Sequence, residues 1–98
     1  MDKLNQTADS IKELFQEFET YCPPNMYIHV IFGSHLPPMA VLDIKFRLPN
    51  LVIFLCANNG HPYRVFQTID QLNFSLTYAP ISEGEPPKKP VGFDVQGI

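Results

Sequence analysis

Tryptophan is missing from this 98-residue chain, cysteine occurs twice, and charged residues make up only 17%, against roughly a quarter in an average globular protein. Each shortage excludes something. Cys22 and Cys56 have neither CxxC nor metal-site spacing, so the sequence carries no disulfide framework or zinc motif. The five glycines, Gly33, Gly60, Gly84, Gly92 and Gly97, are dispersed, which rules out a glycine-rich phosphate loop, and no serine lies in a GxSxG elbow. The seven basic residues are scattered, with only Lys88 and Lys89 adjacent, and the formal charge is -3. A phosphate-backbone ligand would call for clustered Lys and Arg, so nucleic acid is not an expected partner. The longest apolar run, Leu51 to Ala57, is far too short for a transmembrane helix. With no secretory signal pattern at the start, the expected setting is a reducing cytoplasm, without membrane association.

What the chain does have is apolar and aromatic bulk, 45% and 12% of residues. A chain of this length buries roughly 60 to 68% of its unfolded surface, enough for one modest core. Residues 1–81 read as a compact domain. Residues 82–98 read as a proline-rich linker, with Pro86, Pro87 and Pro90, followed by an apolar tail.

The first element is an amphipathic helix. Leu4, Ala8, Ile11, Phe15, Phe18 and Cys22 step by four and three, with Leu14 and Tyr21 widening the inward stripe. Asp9, Glu13 and Glu17 stand at successive i+4 positions on the other side, an acidic face suited to solvation or to a basic partner. Pro23 and Pro24 end the helix, since proline lacks the amide N–H and biases its predecessor away from α geometry.

Three strands are expected between Met26 and Cys56. Met26, Ile28, Val30 and Phe32 alternate with Tyr27, His29 and Ile31. Leu42, Ile44, Phe46 and Leu48 alternate as an inward set with Val41, Asp43, Lys45 and Arg47, and Leu51 to Cys56 is apolar throughout. Asn59-Gly60 is the strongest turn signal and predicts a hairpin into Tyr63 to Phe66. Thr68 to Ala79 fits two periods. Leu72, Phe74, Leu76 and Tyr78 alternate as in a strand, whereas Ile69, Leu72, Leu76 and Ala79 follow a helical course behind a Thr68–Gln71 capping box, and the capping box favours a helix. Val91, Phe93 and Val95 alternate and could supply a short last strand.

The expected fold class is therefore α+β: an N-terminal amphipathic helix on a three- to four-stranded antiparallel sheet, a second helix and a short C-terminal strand. This order resembles in outline that of the double-stranded-RNA-binding domain. However, Asp70 stands where that domain's second helix opens with basic residues, so the resemblance implies architecture and not RNA binding.

His29, His35, His61, Cys22 and Cys56 are the best soft or borderline ligand types, yet none pair at i, i+2 or i, i+4. No cofactor, metal or catalytic residue is expected. Too many side chains between Met26 and Cys56 are apolar on both strand faces for one small domain to bury. The leading expectation is a non-catalytic protein-binding module such as an inhibitor, adaptor or assembly factor. Its partner surface would be Tyr27, Ile31, Val52 and Phe54, with the acidic Asp9, Glu13 and Glu17 as a second contact. The alternatives are a homodimer using the same apolar surface, or a small-molecule binder or enzyme with a helix–sheet pocket near His29, Asp43 and Arg47.

Overall fold

The computed structural model describes residues 3–33, 35–81 and 91–95. One helix, α1 (Lys3–Thr20), is followed by the strands β1 (Met26–Ile31), β2 (Met39–Arg47), β3 (Leu51–Asn58), β4 (His61–Thr68), β5 (Ser75–Pro80) and β6 (Gly92–Val95). The α+β class holds, with more strands than expected and no second helix among the described residues.

In α1 the residues Leu4, Ala8, Ile11 and Phe15 are buried, as their spacing requires. Leu14 and Tyr21 are not part of that stripe; they lie 58% and 76% exposed, on the helix flank and just past its end. Beyond Thr20 the chain tightens through a Cys22 N–H bond to the Glu19 carbonyl at 3.1 Å, and Met26 N–H reaches the Pro23 carbonyl at 3.0 Å. This delivers the chain straight from helix into β1. Among the described residues, no helix is long and apolar enough to cross a membrane.

The strands run β4-β3-β2-β1-β5 as an antiparallel sheet, and β6 adds to β2 in parallel. Asn59 and Gly60 make the two-residue turn between β3 and β4 with φ of 51° and 80°, so the Asn-Gly signal is read correctly. In such a hairpin the closing pair, Asn58 and His61, exchanges hydrogen bonds. The backbone of the next residue, Pro62, then points away from β3, where a missing N–H costs nothing.

One edge of β2 is occupied by β3 along almost its whole length, and the other is divided. His29 and Val30 of β1 pair Ala40 and Met39; from Asp43 to Phe46 the same edge belongs to β6. The changeover falls at a bulge between Val41 and Asp43. The extra residue shifts the alternation, so Val41 is buried and Leu42 is 57% exposed, while Ile44 and Phe46 stay inward. Uniform alternation through Leu42 thus fails at the bulge. Leu48, also expected inside, is exposed in the following turn, which carries a cis Leu48–Pro49 bond.

The segment after β4 is the main departure from expectation. Thr68 makes no side-chain cap bond, and helical geometry lasts for a single 3-10 turn, Ile69–Gln71. The period-two pattern wins because β1 has an open edge that β5 fills over six residue pairs, from Met26–Pro80 to Ile31–Ser75. Without a second helix the outline resemblance to the double-stranded-RNA-binding domain fails. The connection between β4 and β5 brings Phe74 onto the inner face, with ring centroids 5.1 Å from Phe54 and 6.3 Å from Phe15. Gln67 holds this connection by accepting from the Asn73 N–H and donating to the Asn73 carbonyl, both at 3.2 Å. At the other border, the Tyr78 hydroxyl donates to the Phe18 carbonyl at 2.7 Å and the two rings stack.

The core lies between α1 and this inner face, around Phe15, Val30, Ile44, Phe46, Val52 and Phe54. The expected linker, 82–90, lies outside the described residues. Val91 is buried, and Phe93 of β6 packs edge-on against Phe15 at 5.8 Å.

Candidate functional site

The face of the sheet turned away from α1 has no second layer among the described residues. Its composition follows from strand register. Side chains paired across neighbouring strands share a face, so Phe66, Ile53 and Lys45 form one row, and Arg64, Leu55 and Asp43 the next. Leu51 lies between Thr68 and Arg47 in a third row. Phe66 is 60% exposed. Lys45, Ile53, Leu55, Arg64 and Phe66 line a shallow, open depression of about 220 Å³ with an apolar floor and a cation on each side.

The β6 border of this face is charged. Arg47 donates to the Asp94 carboxylate at 2.7 Å and to the Asp94 carbonyl at 3.2 Å, and Lys45 stands 3.8 Å from the same carboxylate. Hydrogen bonding and charge from Arg47, with a smaller contribution from Lys45, hold the Asp94 carboxyl below its usual range. Arg64, on the opposite side of the depression, has no ion pair among the described residues.

The seven residues expected to bind a partner separate into three places. Tyr27 and Ile31 are half-buried and share the outer face, with the Tyr27 ring edge-on to His29 at 4.7 Å. Val52 and Phe54 are fully buried on the inner face, where Phe54 packs against Phe32 and Phe74. The expectation that they are surface residues is corrected: the free side of β3 carries Leu51, Ile53 and Leu55 instead. Asp9, Glu13 and Glu17 are exposed on α1, in the opposite layer from the outer sheet face.

Hydropathy could not assign the faces of β3, because Leu51 to Cys56 is apolar on both. The hairpin could. Counting back from Asn59-Gly60 places Leu55 opposite Arg64 and Phe54 opposite Val65, which marks the Leu55 side as the one facing water.

Among the described residues, reactive groups do not converge. No group of three or more His, Cys, Asp or Glu residues is placed to hold a metal ion among the described residues. Burial pushes the Cys56 thiol up to about 11, which leaves it protonated at neutral pH. The half-buried Cys22 thiol is turned onto the Met26 carbonyl at 3.3 Å. His29, Asp43 and Arg47 point to the open outer face, and none of them lines the depressions at Glu13 and at Ile53. Comparison of the chain with protein-family models, curated proteins and solved structures finds no match.

Proposed function

We propose that this protein is a non-catalytic, cytoplasmic protein-binding module, acting as an inhibitor, adaptor or assembly factor through the outer face of its sheet. The observation that carries this reading is the depression around Ile53, Leu55 and Phe66, apolar at its floor and bordered by Lys45 and Arg64. An aromatic side chain at 60% exposure on a strand paired along its length with β3 offers a large contact area at low entropic cost. The cations around it supply orientation and encounter rate. Both cysteines are free thiols, which accords with a reducing compartment.

The test is retention of host proteins by the immobilised chain, comparing the native sequence with Phe66→Asp and Ile53→Asp. Each variant is first checked for a cooperative thermal transition. Retention that the folded variants lose, and that a change at the remote Lys3 keeps, supports the reading. Retention unchanged by either outer-face variant refutes it.

A further inference from the structure

The outer sheet face has a counterpart on the same molecule. Leu14, 58% exposed, and Tyr21, 76% exposed, stand seven residues apart on one flank of α1 and just beyond it, with Glu13 and Glu17 alongside. Ser10, Glu13, Leu14 and Glu17 border a single shallow concavity there. This apolar pair with acidic flanks is the converse of an apolar floor with cationic borders. Neither Glu13 nor Glu17 is in an ion pair among the described residues, and neither is Arg64.

Dimensions also agree. Lys45 on β2 and Arg64 on β4 are two strand spacings apart and offset by two residues along the strands, about 12 Å in all, close to the diameter of a helix with its side chains. Leu14 lies six residues, about 9 Å, before the end of α1 at Thr20, and Tyr21 follows directly, so the pair has the reach of roughly three strand residues, which spans Ile53 to Leu55 and the edge of Phe66.

Resting on the protein-binding reading, we infer that the occupant of the outer sheet face is the α1 flank of a second copy of this chain. Glu13 and Glu17 meet Arg64 and Lys45, and Leu14 and Tyr21 cover Ile53, Leu55 and Phe66. Because α1 covers the inner face of its own sheet, donor and acceptor surfaces lie on opposite sides of one molecule. The contact is therefore heterologous: each copy gives its helix to one neighbour and its sheet to another, producing a ring or an open chain and not a two-fold dimer. Asp94 holds Arg47 at 2.7 Å and stands 3.8 Å from Lys45, and Asp43 stands at the far end of its row against Gly92, so the attraction centres on Arg64, with Lys45 shared between Asp94 and the incoming helix.

Charge reversal tests this directly by sedimentation velocity of the full chain. The helix variant is Glu13→Lys with Glu17→Lys. The sheet variant is Lys45→Glu with Arg64→Glu, or Arg64→Glu alone if the pair lowers the melting transition. The native chain should self-associate with concentration, about tenfold or more weaker at ~0.5 M than at ~0.05 M salt. Each variant alone should lose at least about tenfold in affinity, since like charges then face each other. Mixing the two variants should restore association, because a basic helix then meets an acidic sheet and the reverse. A native chain that stays monomeric, association that survives either reversal, or variants that fail to restore one another would each overturn the inference. Retention of host proteins through Phe66 and Ile53 by a monomeric chain would leave the protein-binding reading standing while removing the second copy.

Discussion

Arg47 reaches Asp94 at 2.7 Å and binds both its carboxylate and its backbone carbonyl, joining the last strand to the second. The carboxyl is held below its usual range, so its contribution to stability is fully present above the unfolded-state carboxylate pKa near 4 and is lost as pH falls through the lower folded value. Asp94→Asn should therefore lower the thermal midpoint at neutral pH and leave it unchanged in strong acid. Melting curves at several pH values check this; a variant with the native acid profile would show that the pair contributes nothing.

Phe15 is fully buried where the rings of Phe74 and Phe93 meet α1. Phe15→Ala should cost about 3 to 5 kcal/mol by lost burial and an unfilled cavity. Urea titration measures it, and a midpoint near the native value would mean that α1 is not part of the core.

Gly60 holds φ of 80° at the second position of its turn, outside the range a β-branched residue tolerates. Gly60→Val should destabilise by at least about 1 to 2 kcal/mol, although open space surrounds the site. The cost is backbone strain and not a clash, so Gly60→Asn should recover most of it in the same titration.

The two faces of the sheet predict opposite outcomes for one kind of change. Phe54→Asp puts an unpaired carboxylate among Phe32 and Phe74 and should abolish the cooperative transition. Phe66→Asp, at an exposed site on β4, should leave the transition within a few degrees of native. Circular dichroism melts of both variants decide it.

Cys56 should resist alkylation until the protein unfolds, since burial both shields its thiol and pushes it up to about 11. Cys22 is half-buried at the end of α1 and should label first. Mass spectrometry of iodoacetamide-treated protein, with and without urea, gives the order of reaction.

Much of this architecture was legible from local pattern. The α1 stripe at Leu4, Ala8, Ile11 and Phe15 is a strong periodic signal, and Asn59-Gly60 has one good conformation. The errors came where local signals tie or where partners are distant. Thr68 to Ala79 satisfies two periods, and the open edge of β1, some fifty residues upstream, selects the strand. The Leu42 bulge inverts an otherwise regular alternation without a glycine or proline to announce it. The faces of β3 are equally apolar, so only register against Arg64 separates the core from the candidate site.

The divided edge of β2 sets a timetable for the chain as it emerges from synthesis. The amides of residues 43–46 pair with residues 92–95, which are made half a chain-length later. Until then Ile44 and Phe46 sit on a strand with one side open, the exposure that invites wrong pairing with other chains. The interval before residues 92–95 arrive is thus one in which residues of the core stand on an unpaired strand edge.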